Sequence, residues 1–150
     1  MSEPAFIDKL YVSDLPQVAA LGAHFYAEGK LPGSFNAAYW KQSWTELLNN
    51  GSGVIFGLWR GEEFVGALGG VLFPDPNTGE PVATEFFWYV LPSARGAGLQ
   101  LLTSFEAWAA EAGATRVHMV HLLKLAPEKL GRLYQRRGYT PTETLYVKTL

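Results

Sequence analysis

An aromatic, β-prone run, Glu85-Phe86-Phe87-Trp88-Tyr89-Val90, leads into a glycine-rich turn and then an amphipathic stretch over 101–112. A second β-like run follows over 116–122. Consecutive strands joined by a helix pair in parallel through a right-handed crossover, so this stretch commits the chain to a sheet covered by helices. The turn, Val90-Leu91-Pro92-Ser93-Ala94-Arg95-Gly96-Ala97-Gly98-Leu99-Gln100, opens the helix. Backbone N–H groups at a helix start lack intrahelical partners and join the positive end of the helix dipole, which suits an anion such as phosphate. Gly96 and Gly98 let backbone approach a ligand with no Cβ in the way. Arg95 adds a positive donor fork.

The remaining pattern predicts an α/β fold. An opening strand is expected over 5–12, then a helix capped at Ser13-Asp14 and running to about residue 28. A loop over 29–34 precedes a second helix, which Asn36 caps and whose stripe is Tyr39, Trp40, Trp44, Leu47 and Leu48. Runs over 53–59 and 63–73, joined by Arg60-Gly61-Glu62, read as a hairpin. The aromatic strand is expected over 83–90, the helix after it ends at Gly113, and Pro127 opens a last helix to about 137. A final strand is expected over 144–149, giving the order β-α-α-β-β-β-α-β-α-β, a mixed central sheet flanked by helices.

The 150 residues are expected to form a single domain, with 48% hydrophobic and 17% charged residues predicting a packed core rather than disorder. A formal net charge of −2 provides no basic footprint, so no nucleic-acid partner is expected. The chain has no cysteine, which removes disulfides, thiol catalysis and zinc-thiolate sites. Met1-Ser2-Glu3-Pro4 lacks the pattern of a signal peptide, and no apolar run is long enough to span a bilayer. A cytoplasmic protein with no membrane partner and no metal is the expectation.

Two phosphate motifs fail on the glycine-rich turn. No Gly-Lys-Ser/Thr ending makes it a nucleoside-triphosphate loop, and Leu101 stands where a dinucleotide fingerprint counted from Gly96 needs its third glycine. Instead, Arg95-Gly96-Ala97-Gly98-Leu99-Gln100 resembles the Gln/Arg-x-x-Gly-x-Gly/Ala signature of the acyl-CoA N-acyltransferase superfamily, GNAT. Val90-x-Pro92-x-x-Arg95-Gly96 is similar to that family's lead-in, and Tyr134-Gln135-Arg136-Arg137-Gly138-Tyr139 resembles its Tyr-x-x-x-Gly-Phe/Tyr helix end. The element order is similar from end to end. The Glu85 to Pro92 run and the ending Gly138-Tyr139-Thr140-Pro141-Thr142-Glu143-Thr144-Leu145-Tyr146 are similar to short acetyltransferase-like proteins of phages and prophages. Two positions depart from the pattern. Gln100 replaces the usual Gly or Ala, and Pro127 stands where an asparagine is frequent.

The resemblance implies acetyl-CoA as co-substrate and a primary amine as acceptor. It implies that the amides of Gly96, Ala97, Gly98, Leu99 and Gln100 hold the pyrophosphate, with Arg95 beside them, and that the pantetheine arm lies along the strand ending at Val90. Residues 85–90 extend roughly 17 Å at the usual strand rise, which brings the thioester near Glu85. An alkylammonium must lose a proton before attack, and Glu85 is the candidate base. Backbone N–H groups near Tyr89 and Val90 could polarise the thioester carbonyl, and Tyr134 could protonate the leaving thiolate. With no cysteine to carry an acyl group, direct attack in a ternary complex is implied.

Plainer roles stay open beside these. Glu85 could be a strand carboxylate satisfied by a neighbour, and Tyr134 a core aromatic. His118 and His121, three apart on the expected strand, would face opposite sides and share no metal. Lys129, Arg132, Arg136 and Arg137 read as a solvated helix face, or as contacts to the CoA 3′-phosphate. Phe35, Tyr39, Trp40 and Trp44 read as packing for the second helix, or as walls of an acceptor pocket; few acids there would argue against polycationic acceptors. A non-catalytic acyl-CoA-binding module and a homo-oligomeric structural protein are the rival readings, and a homodimer is compatible with each.

Overall fold

The alternating apolar runs of the middle of the chain pair into one sheet. In the computed structural model, which describes residues 4–122 and 127–150, five strands lie in the order β1-β2-β3-β4-β5. They are β1 (Ala5–Lys9), β2 (Gly53–Arg60), β3 (Glu63–Pro74), β4 (Pro81–Val90) and β5 (Arg116–His118). The first four are antiparallel neighbours, and β5 joins β4 in parallel, as the crossover requires. The β2–β3 hairpin turns at Gly61, whose φ of 62° is the left-handed conformation glycine adopts without strain.

Four helices cover the sheet: α1 (Leu15–Gly29), α2 (Ala37–Asn49), α3 (Leu99–Glu111) and α4 (Pro127–Arg136). Asn36 caps α2 as expected, its Oδ1 accepting the Tyr39 N–H at 3.0 Å. Asp14 does not cap α1; its carboxylate accepts the Tyr11 N–H in a short 3-10 turn over Val12–Asp14 instead. The apolar side chains of Leu15, Val18, Leu21 and Phe25 of α1 join Trp44 of α2, Ile55, Ala67 and Tyr89 in one core. Leu101, Phe105 and Ala109 of α3 close a second core with Val54, Leu58, Leu68, Ala83 and Val90. The sheet therefore buries apolar side chains on both faces. No helix among the described residues is long and apolar enough to cross a membrane.

One irregularity positions the site. The β3–β4 register slips between Gly69 and Gly70, so Gly70 faces Glu85, Gly69 faces Phe87, and Phe86 is the extra residue of a β-bulge. Below the bulge Ala83 packs with α3; above it Phe87 and Tyr89 pack with α1 and α2, although all three are odd-numbered. The bulge thus reverses which face alternate residues point to, and Glu85 sits at the reversal.

Two expectations at the C-terminal side do not hold. The strand expected over 116–122 forms only over Arg116–His118, pairing with Val82, Ala83 and Thr84, because β4 and β5 diverge after Thr84. The strand expected over 144–149 is not formed: residues 139–150 carry no regular structure, and Leu145 and Tyr146 are exposed. A β-prone segment becomes a strand only against a hydrogen-bonding edge, and this one lies against none among the described residues.

Candidate active site

The divergence of β4 from β5 opens a cleft, and β4 lines it with an edge that is unpaired among the described residues from Glu85 onward. The Leu91 N–H bonds the Val65 carbonyl at 2.8 Å, so Leu91 and Tyr89 point their backbone groups toward β3. Val90 and Trp88 therefore point theirs into the cleft. The Val90 carbonyl does so visibly, accepting from the Arg95 Nε at 3.2 Å. Of the two N–H groups expected to face a thioester, Tyr89's is turned into the sheet and Val90's is available; Trp88's was not anticipated.

Glu85 is the one buried charged residue among the described residues, 6% exposed. Its Oε1 accepts the Val120 N–H at 3.3 Å. Burial opposes ionisation more strongly than that single bond favours it, and the carboxyl is pushed up to about 8. Tyr134, buried on α4, donates its hydroxyl to the carbonyl of the same Val120 at 2.9 Å. Its ring packs 6.3 Å from Trp88 and 5.4 Å from Tyr139. Burial, then the neighbouring Glu85 charge, drives its pKa far above the ordinary phenol value. The two residues expected to act together are thus held on one backbone segment, which no side-chain pattern announces. His121 lies just beyond β5 with its ring 6.5 Å from that of Tyr134 and its Nε2 buried without a partner among the described residues. His118 ends β5 and is exposed, so the opposed-face arrangement expected of these two histidines on one strand does not arise.

At the other end of the cleft the glycine-rich turn enters α3. The N–H groups of Gly96, Gly98, Leu99 and Gln100 have no backbone partner among the described residues, whereas that of Ala97 bonds the Ala94 carbonyl at 3.3 Å. Ala97 is therefore the one amide of the expected five already engaged. Gly96 has φ 105°, a conformation other residues strain to adopt, and a Cβ on Gly98 would lie 2.9 Å from Val90 Cγ2. Both glycines are required by local geometry. Gln100 is exposed, so its side chain stays off the backbone donors.

Arg95 is not a free charge. Its guanidinium bonds Glu28 of α1 at 2.5 Å and lies 5.8 Å from the centre of the Tyr89 ring, whose hydroxyl donates to the same carboxylate at 2.7 Å. Burial of Glu28 raises its pKa, but the bonds from Arg95 and Tyr89 outweigh it and hold the carboxyl below its ordinary range. This tie between α1 and the turn is not readable from sequence, since its partners are 67 residues apart. Arg137 is likewise engaged, pairing with Glu106 of α3, which also accepts from the Tyr139 hydroxyl at 2.8 Å. It anchors the end of α4, so the solvated face expected of the α4 cations does not include it.

On the α1/α2 face a cavity of about 470 Å³ reaches Glu85. Phe35, Tyr39, Trp40 and Trp44 line it, so these aromatics both pack α2 and wall a pocket.

The acetyltransferase (GNAT) family profile matches residues 18–139. No curated protein matches the sequence. Among solved structures, a predicted acetyltransferase with acetyl-CoA from Clostridium acetobutylicum superposes with a TM-score of 0.80 at 14% identity, covering 97% of this chain and 96% of that one. A ribosomal-protein-alanine N-acetyltransferase from Brucella melitensis biovar Abortus 2308 gives 0.72 at 21% identity, covering 98% and 99%. An aminoglycoside acetyltransferase from an uncultured soil metagenomic sample, in complex with sisomicin, gives 0.71 at 17%, covering 97% of each chain. With a strand split at a bulged β4, unpaired amides at the start of α3 and a profile match over most of its length, the chain belongs to the GNAT acetyltransferase family.

Proposed function

We propose that this chain acts as one domain that moves an acetyl group from acetyl-CoA to a primary amine by direct attack in a ternary complex. The observation that carries the reading is the convergence of Glu85 and Tyr134 on the backbone of Val120, one at its N–H and the other at its carbonyl, where β4 and β5 part. Acetyl-CoA supplies the acetyl group as an activated thioester. The residues present fit it: unpaired N–H groups at Gly96, Gly98, Leu99 and Gln100 suit a pyrophosphate, and the open edge of β4 suits an extended amide-bearing arm.

Glu85 takes the proton of the acceptor ammonium, which becomes a nucleophile only when neutral. A carboxyl held near 8 is about one-tenth ionised at pH 7, and its conjugate acid is closer in strength to an alkylammonium than an ordinary carboxyl is. The Val90 N–H, fixed by the sheet, donates to the carbonyl oxygen as charge develops on it. Tyr134 holds its own proton too firmly to give it up outright, so its hydroxyl leaves the Val120 carbonyl and stabilises the departing thiolate as a hydrogen-bond donor, and the proton that the attacking nitrogen sheds as the amide forms converts that thiolate to the thiol.

CoA-thiol release with a panel of amines tests the reading. Glu85→Gln is expected to lower kcat/KM about 100-fold or more, and Tyr134→Phe about tenfold. Tight acetyl-CoA binding with no thiol release, the same in wild type and both variants, would establish a binding module instead.

A further inference from the structure

We infer that the acceptor is a small monoamine with an aryl or bulky apolar body and no other charge; this rests on the transferase reading above. The cavity beside Glu85, about 470 Å³, has the size of a small-molecule site. Its wall is built of tilted rings in series: Tyr26 packs on Phe35, Phe35 on Trp40, and Trp40 on both Trp44 and Phe87. Glycines make that wall possible. A Cβ on Gly22 would stand 2.4 Å from the Phe35 ring, and one on Gly69 would stand 2.3 Å from the Phe87 ring. The ring edges abut bare backbone at these two positions.

The charges decide the class. Among the described residues lining the cavity, Glu85 is the sole acid, and no Lys, Arg or His is present. The next carboxylate, Glu28, reaches the wall only through the Tyr89 hydroxyl and is already offset by Arg95. One ammonium thus has a counter-charge, at the base that must deprotonate it. A second ammonium, as in a polyamine or aminoglycoside, would be desolvated with no counter-charge among the described residues, and a carboxylate, as in a free amino acid, would meet no cation among them. Ring faces accept an apolar or aromatic body and tolerate the passage of a single cation.

The test is thiol release and equilibrium binding with 2-phenylethylamine, n-propylamine, phenylalanine, spermidine, sisomicin and a peptide with a free N-terminus. We expect kcat/KM for 2-phenylethylamine at least tenfold above n-propylamine, from ring burial, and further above the charged amines. Binding of 2-phenylethylamine should quench tryptophan fluorescence in the wild type without acetyl-CoA and weaken in Glu85→Gln, and Trp40→Ala should raise its KM about tenfold. Thermal melts of both variants verify that they fold, and the wild-type amine series stands without them. Preference for spermidine, sisomicin or the peptide would overturn the inference while leaving the transferase reading intact. Binding of 2-phenylethylamine with no release from any amine would sink the transferase reading while keeping the pocket's selectivity. Release equal across all amines, without binding selectivity, would overturn the inference alone.

Discussion

Glu85 is held against its own chemistry. A buried carboxyl with one backbone donor is stable when neutral, yet general-base work needs it ionised. The linkage has a definite sign. Its folded pKa lies above the unfolded value, so its contribution to stability is fully present below about 4.5 and is lost as pH rises through about 8. Wild-type protein should therefore show a urea midpoint that falls between pH 5 and 8. Glu85→Gln keeps the shape, removes the titration and should flatten that fall, leaving the variant more stable than wild type above pH 8 while nearly inactive. In the same window the wild-type kcat should rise if Glu85 is the base proposed above, because it ionises as stability declines. Parallel urea titrations and pH–rate profiles check both; a midpoint equally pH-dependent in the variant would assign the effect to other groups.

At the scale of elements, the strands with long apolar alternation were legible: β2, β3 and β4 fall within a few residues of their expected bounds, because their two neighbours complete what the pattern begins. The ends of β5 and the tail were not, because a strand's length there depends on an edge supplied by residues far away in sequence. The same holds for the site. Glu85, Tyr134 and the glycines announce themselves by type and spacing, but Val120 acts through its backbone N–H and carbonyl and Phe86 bulges in a run that reads as regular. The α1-to-turn tie is equally silent and has a consequence. The Glu28–Arg95 pair is partly exposed, with side-chain exposures of 31% and 45%, so breaking it should cost no more than about 1 kcal/mol. Glu28→Gln leaves the Arg95 charge without its offset beside the unpaired amides of Gly96 and Gly98. The expected result is a lower KM for acetyl-CoA in dilute buffer, the gain disappearing toward 1 M salt, where charges are screened within about 3 Å. A KM unchanged at both salt concentrations would place Arg95 away from the phosphates.

For the whole molecule, the cleft joins the turn into α3, the open edge of β4 and the inner side of α4, which meets β4 where the Tyr134 ring packs on Trp88. A ligand that spans all three binds only when they are assembled, so its binding energy adds to folding energy. At a hundredfold excess over Kd the gain is about 2.7 kcal/mol. For a chain of this size each kcal/mol moves Tm by roughly 2–4 °C, so acetyl-CoA should raise Tm by about 5–10 °C. Glu85→Gln should keep the full shift, because that carboxyl faces the aromatic-walled cavity and not the amides of α3. Gly98→Val should lose most of it, since even a Cβ at Gly98 already crowds Val90 Cγ2 at 2.9 Å and a larger side chain would force the turn and the strand edge apart. Differential scanning with acetyl-CoA, and with acetate as a control for acetyl binding alone, reads all three. A shift absent in wild type would remove the CoA cradle; a shift equal in wild type and Gly98→Val would move the cradle elsewhere on the fold.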